Sequence, residues 1–191
     1  ELPKSDLVVL PGGFSYGDYL RCGSMASKSR IMNSVINFSK SGGKVMGICN
    51  GFQILVEAGL LPGVLLRNKY LEFICKNVFV KINDRDNSYF KELKKKTLEL
   101  HIAHNEGNYF CSKDQLKLIN DNNQIALLYS DKNGDVNEDN NPNGSIANIA
   151  GIFNKEKNIL GMMPHPERMI DSALSGEDGS IFLKNLINNL R

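Results

Sequence analysis

No apolar run in this chain of 191 residues approaches the roughly 20 residues that a helix needs to cross a bilayer, so a helical membrane span is excluded and the chain reads as a soluble protein. Net charge is also lacking. The 23 Lys and Arg against 21 Asp and Glu leave +2 with the two signs interspersed, which gives no electrostatic case for nucleic acid or membrane as a partner. Cysteine is scarce and scattered, since Cys22, Cys49, Cys75 and Cys111 stand far apart with no C-x-x-C pair; a zinc site or a disulfide framework is not indicated. Reduced thiols in a cytoplasmic setting are the simpler reading, each Cys being by default a small buried hydrophobe. Internal repeats and linkers are missing too. Residues 1–191 are therefore read as one domain, with 41% hydrophobic residues to fill one core.

What is present alternates strand and helix signals. Asp6 to Leu10 is an apolar run closed by Pro11-Gly12-Gly13, and Met25 to Ser41 carries Ile31, Val35, Ile36 and Phe38 at helical spacing before Gly42-Gly43. Lys44 to Ile48 reads as a second strand and Phe52 to Ala58 as a second helix. This order predicts a parallel sheet with right-handed crossovers. Strand-rich runs follow at Phe73 to Ile82, Leu98 to Ala103 and Ile125 to Tyr129, with a closing pair at Ile152-Phe153 and Ile159 to Met163. Short helices are expected over Asp114 to Asn120 and Ser180 to Leu190. Asp131 to Ser145 is turn chemistry throughout, and its Asn133-Gly134 would suit a hairpin.

Three points carry chemistry. Gly47-Ile48-Cys49-Asn50-Gly51 is G-x-C-x-G between a strand and a helix, the setting of a nucleophile elbow, where any Cβ two positions either side of the nucleophile would collide. Cys49 at a helix N-terminus meets unpaired N–H groups and a positive dipole end, which favour the thiolate. It should alkylate faster than the other three thiols. Pro164-His165-Pro166-Glu167 is the second point: prolines hold a segment extended, and a spacing of two puts imidazole and carboxylate on one face, so that Glu167 can fix the tautomer of His165. Cys49, His165 and Glu167 together supply nucleophile, general base and orienting acid, with the sulfur expected within hydrogen-bond reach of the ring. Third, Gly12-Gly13 follows the first strand, on the sheet edge where the elbow also lies. The N–H groups of Gly13 and Asn50 are candidate donors of an oxyanion hole.

Gly47 to Gln53 with Pro164 to Glu167 resembles the triad, class I, glutamine amidotransferases. More narrowly, LPGGFSYGDYLR (Leu10 to Arg21), GICNGFQIL (Gly47 to Leu55), LLPG (Leu60 to Gly63), LLRN (Leu65 to Asn68), PNGS (Pro142 to Ser145) and MMPHPER (Met162 to Arg168) resemble the glutaminase subunits of phosphoribosylformylglycinamidine synthase. The resemblance implies a flavodoxin-like three-layer α/β sandwich with a mostly parallel central sheet. It implies hydrolysis of L-glutamine to glutamate and ammonia through a cysteinyl thioester, in support of purine biosynthesis. It puts substrate contacts at Gly12 and Gln53 and at the family's A-H-G-E-G turn, here His104, Asn105 and Glu106 with Asn in place of the middle glycine. Asn tolerates the positive φ that such a glycine would need. No cofactor or metal is implied for this chain. ATP and Mg are expected on a synthase partner that also binds the ribonucleotide, with a small bridging subunit beside it. The family begins with a further strand, a Gly-Ser-Asn turn and a helix that have no counterpart ahead of Glu1, so an N-terminally truncated chain is expected.

Two other functions stay open on residues alone. A stand-alone cysteine hydrolase or peptidase could use the same triad, because a fold does not fix a substrate; Gln53 and the A-H-x-E-G turn argue against it. A catalytically silent scaffold subunit is the other, and an intact Cys49, His165 and Glu167 argue against that.

Overall fold

The computed structural model describes residues 2–18, 20–173 and 175–190. The first half alternates as expected: β1 (Leu7–Leu10), α1 (Arg30–Lys40), β2 (Lys44–Ile48) and α2 (Asn50–Glu57). The middle holds β3 (Val64–Leu66), β4 (Ile74–Ile82), β5 (Thr97–His104), β6 (Asn108–Phe110), α3 (Lys113–Asp121) and β7 (Ile125–Ser130). β8 (Ile149–Phe153), β9 (Ile159–Met162) and α4 (Asp178–Asn188) close the chain. No helix among the described residues is long and apolar enough to cross a membrane.

The main sheet runs β1-β2-β9-β8-β7-β4-β5. Parallel pairing holds where the elbow sits, β1 with β2 and β2 with β9. The other four junctions are antiparallel, so the sheet is mixed: a parallel section carries the elbow and an antiparallel section extends it. α2 packs on β1, β2 and β9, and α4 packs on β5, giving the helix-flanked α/β architecture. β1, β2 and β9 deliver their C-terminal ends to one edge, where loops converge on a common site.

Several elements depart from the sequence reading for local reasons. Residues Ala26–Lys28 form a 3-10 turn, and Ser29 at φ −65°, ψ 151° breaks the chain before α1. The helix buries Met32, Val35 and Ser39, a spacing that faces one side. α2 starts at Asn50, two residues earlier than Phe52, because the elbow turns directly into it. β3 and β6 form a separate antiparallel pair, Leu65 opposite Tyr109, too short to show periodicity in sequence. Asn133-Gly134 forms a tight turn and no hairpin: the Asp131 carboxylate accepts the N–H of Asn133 and of Asp135, both at 2.8 Å. The chain is thereby tied back on itself instead of pairing with β7.

Candidate active site

Between β2 and α2 the backbone of Cys49 adopts φ 50°, ψ −106°, a conformation that costs a non-glycine residue about 1–3 kcal/mol and persists only where its surroundings enforce it. The flanking glycines explain how. A Cβ on Gly51 would lie 2.0 Å from the Leu10 carbonyl oxygen, and one on Gly47 would lie 2.7 Å from the backbone of Gly51. β1, β2 and the first turn of α2 therefore touch backbone to backbone, and Cys49 is left at the crest.

The thiol is in a different state from that expected at a helix N-terminus. Cys49 is buried, and burial pushes its pKa up to about 12 against the Asn50 N–H and Arg168, which pull it down. Desolvation of the charged form outweighs the dipole here. Its Sγ lies 3.7 Å from the Ala103 carbonyl oxygen, to which the thiol donates.

His165 sits behind Gly12, where a Cβ would approach its Cε1 to 2.5 Å. Its backbone N–H donates to the His101 carbonyl at 2.7 Å, which ties the segment to β5. The ring is 2% exposed, and its Nδ1 lies 2.5 Å from Glu167 Oε1. The pairing does not come from an extended segment. His165 is extended, at φ −101°, ψ 94°, but Pro166–Arg168 is a 3-10 turn, because Pro at a first helical position has the required φ and needs no N–H. Burial raises the Glu167 carboxyl, while the His165 hydrogen bond and charge, its own backbone N–H and Arg168 bring it below the ordinary value. A carboxylate on Nδ1 selects the tautomer with the lone pair on Nε2, and that Nε2 is buried with no hydrogen-bond partner among the described residues. The direct sulfur–imidazole bond that the motif suggests is replaced in this structure by the thiol bond to Ala103.

One pocket gathers Gly13, Cys49, Asn50, Gln53, His104, Asn105, Glu106 and His165. Glu167 stands outside it behind the ring, and Gly12 backs His165 without lining the pocket. The Asn50 amide ties the 15–18 turn to α2: its Oδ1 accepts the Ser15 N–H at 3.1 Å, and its Nδ2 donates to Asp18 Oδ1 at 3.2 Å and Gln53 Oε1 at 2.8 Å. Gln53 Nε2 donates to the Glu106 carbonyl at 2.6 Å, so this side chain links α2 to the 104–107 turn. The turn stands without a left-handed residue at Asn105, which is not among the positive-φ positions. Asn68 does the pinning, its Oδ1 accepting the Gly107 N–H at 3.0 Å and its backbone N–H donating to the Asn105 carbonyl at 2.9 Å.

Sequence reasoning gave no role to Asp18, Cys22, Ala103 or Arg168, which line the same pocket. Asp18 lay inside the quoted LPGGFSYGDYLR stretch, and Arg168 closes MMPHPER. Cys22 is buried at the pocket wall, and Cys75, taken by default as buried, is exposed with its Sγ 3.4 Å from His101 Nε2. Among the described residues no group of three or more His, Cys, Asp and Glu could hold a metal ion.

A thiol on an elbow, an imidazole with one free nitrogen and backbone N–H groups in one pocket suit acyl transfer. Comparison with known proteins narrows the reading. Residues 1–176 match the CobB/CobQ-like glutamine amidotransferase domain. The chain belongs to this glutamine amidotransferase family. Among curated relatives of this amidotransferase, the phosphoribosylformylglycinamidine synthase subunit PurQ of Pelagibacter ubique is 82% identical over 191 residues, covering 100% of the chain and 84% of the relative. PurQ of Synechocystis is 53% identical over 180 residues, 94% of the chain and 80% of the relative. The structure of PurLQS from Thermotoga maritima superimposes with a TM-score of 0.86 at 37% identity, covering 100% of this amidotransferase chain and 82% of that one. A second Thermotoga maritima glutamine amidotransferase, at 16% identity and a TM-score of 0.60, shares the fold.

Proposed function

We propose that this chain hydrolyses L-glutamine to glutamate and ammonia and supplies the ammonia to phosphoribosylformylglycinamidine synthesis in purine biosynthesis. The observation that carries the chemistry is the pairing, within one pocket, of the Cys49 thiol with a His165 ring whose Nδ1 is held by Glu167 and whose Nε2 is unpartnered. The link to purine synthesis rests on the PurQ relatives.

With its pKa pushed up to about 12, the thiol needs a base at the moment of attack. Rotation of Sγ away from the Ala103 carbonyl brings it to the lone pair of His165 Nε2. Cys49 then attacks the side-chain amide carbon of glutamine while His165 takes the thiol proton. The oxyanion develops against the N–H groups of Asn50, at the start of α2, and Gly13, each such donor being worth about 3 kcal/mol of barrier in enzymes of this logic. His165 returns the proton to the leaving nitrogen, ammonia departs, and a water activated by the same Nε2 cleaves the thioester. Glu167 holds the ring and stabilises its imidazolium throughout. Gln53, His104, Asn105 and Glu106 form the wall against which the amino-acid end lies, and Gly12 keeps His165 in place.

This chain works in the cytoplasm with a synthase partner that holds ATP, Mg and the ribonucleotide, beside a small bridging subunit. The support for a partner is the similarity of this chain to the Thermotoga maritima structure named PurLQS. Phe14, which lines the pocket and is 66% exposed, suits a protein neighbour. The test is ammonia release from glutamine in the presence of the synthase partner, with brief acid quench and mass analysis for a glutamyl adduct on Cys49. Cys49→Ala abolishes both signals, and His165→Ala lowers turnover by roughly 10²-fold or more. Ammonia release undiminished in Cys49→Ala overturns the assignment.

A further inference from the structure

The outer face of the β4–β5 pair carries a second thiol beside a base. In the antiparallel register Asn77 stands opposite His101 and Cys75 opposite Ala103, so Cys75 and Asn77 lie on one face within reach of the His101 ring. Cys75 Sγ is 3.4 Å from His101 Nε2, and His101 Nδ1 is 2.9 Å from Asn77 Oδ1. The direct sulfur–imidazole contact that Cys49 lacks is made here, by a cysteine that is exposed.

The directions of these bonds follow from the far end of the relay. Asn77 Nδ2 donates to Glu99 Oε1 at 3.2 Å, a carboxylate that can only accept. Asn77 Oδ1 is then the atom facing the ring and takes its Nδ1–H, which leaves the lone pair of His101 on Nε2, toward the sulfur. The thiol donates to it. An accessible nucleophile, a base and a group that orients the base thus stand in line. Burial lowers the pKa of the ring, as do Arg168 and His165, against Glu167, which raises it, so the ring is neutral and able to accept a proton near neutral pH. Those three residues, from the segment after β9, and Cys75, from β4, are the titratable groups that bear on it; Glu99 reaches it through Asn77. Two donors are too few for a metal, and no group of three or more among the described residues could hold one. Cys75 lies within β4, so its own element offers no counterpart to the helix N-terminus that receives an oxyanion at the elbow, and acyl transfer is the poorer match. Exchange with a disulfide needs no such donors, only a base for the attacking thiol and an acid for the leaving one.

We propose that Cys75 is a second nucleophilic site, a modification site for low-molecular-weight disulfides, with His101 as its base and Asn77 and Glu99 as positioning residues. Cys75 Sγ attacks one sulfur of a disulfide R–S–S–R while its proton passes to His101 Nε2. The bond from Cys75 to that sulfur forms, the S–S bond of the reagent breaks with its electron pair going to the leaving sulfur, and His101 hands the proton to that thiolate, which departs as RSH. Cys75 is oxidised to a mixed disulfide and the small disulfide is reduced. This goes beyond the glutaminase reading and does not rest on it, because Cys49, His165 and Glu167 take no part.

The experiment treats the chain with hydroxyethyl disulfide, an uncharged reagent that Glu167 and Arg168 neither attract nor repel. Adduct at each cysteine is followed by mass mapping at short times, from about pH 6.5 to about pH 8.5, for the unsubstituted chain, His101→Gln and Asn77→Ala. Cys75 is expected to acquire the adduct first, at a rate that changes by less than about threefold per pH unit, because the proton moves within the Cys75–His101 pair. His101→Gln keeps Cys75 accessible but removes the base; it is expected to slow the exchange about tenfold or more at neutral pH and to make the rate rise by about tenfold per pH unit. Asn77→Ala frees the tautomer and is expected to slow it by about threefold or more. An unchanged rate in a folded His101→Gln, checked by circular dichroism, means that exposure alone accounts for Cys75 and overturns the proposal. A rise of about tenfold per pH unit in the unsubstituted chain overturns it as well, whether or not the variants fold, and so does adduct forming first at another cysteine.

Discussion

Cys49 is a buried thiol whose pKa burial pushes up to about 12, and Cys75 is an exposed one beside the His101 ring. Reactivity toward a small alkylating reagent follows thiolate fraction and access together. Brief iodoacetamide treatment of the free chain at neutral pH is thus expected to label Cys75 first and Cys49 much more slowly, with Cys22 and Cys111, both buried, equally slow. Mass mapping at short times reads the order, and Cys49 labelled ahead of Cys75 would show a thiolate held ready without substrate. The contrast marks what a motif conveys. G-x-C-x-G states its backbone requirement locally, because Gly47 and Gly51 touch each other and Leu10. The protonation state of the thiol depends on everything packed over it, including Ala103, Arg168 and Asp18 from distant stretches, and no local pattern carries that.

At the scale of the element, the close approach of β1, β2 and α2 makes two glycines differ in kind. A Cβ on Gly51 meets the Leu10 carbonyl at 2.0 Å, backbone on both sides; a Cβ on Gly12 meets the His165 ring at 2.5 Å. Gly51→Ala must part α2 from β1 and is expected to cost roughly 2–4 kcal/mol, a fall in Tm of about 5–15 °C. Gly12→Ala moves one side chain, so Tm should fall by less than about 5 °C while glutamine turnover drops about tenfold or more, His165 being displaced. Thermal melts and ammonia release on the two variants check this, and equal melting temperatures would sink the distinction. Much of the element order was readable: the alternation over β1, α1, β2 and α2 followed from apolar spacing closed by glycine and proline. The His165–Glu167 pairing was anticipated for a wrong reason, since Pro166 opens a 3-10 turn instead of holding an extended strand. The pinning of the 104–107 turn was hidden altogether. It depends on Asn68, 1% exposed, whose bonds to His104, Gly107 and Asn105 span 36 to 39 residues of chain.

For the whole molecule the question is where the chemistry divides. The parallel half of the sheet sets Cys49 and the Gly12-Gly13 turn, the antiparallel half supplies His104 to Glu106 through β5, and the segment after β9 brings His165. Four stretches far apart in sequence thus meet at one edge, and they bring a thiol and an imidazole into one pocket. Ammonia released there is useful only if another active site consumes it. If this chain does nothing but release it, Cys49→Ala in the assembled synthase is expected to abolish amidination with glutamine and to leave amidination with added ammonium salts largely intact. The substitution deletes one sulfur atom that donates only to the Ala103 carbonyl, so assembly should survive, and size-exclusion chromatography of the complex checks that. A scaffold subunit would show no loss with glutamine, and a peptidase no coupling to amidination at all. Equal loss with glutamine and with ammonium, in a complex that still assembles, would mean that Cys49 supports the synthase reaction itself, and the division of labour would have to be abandoned.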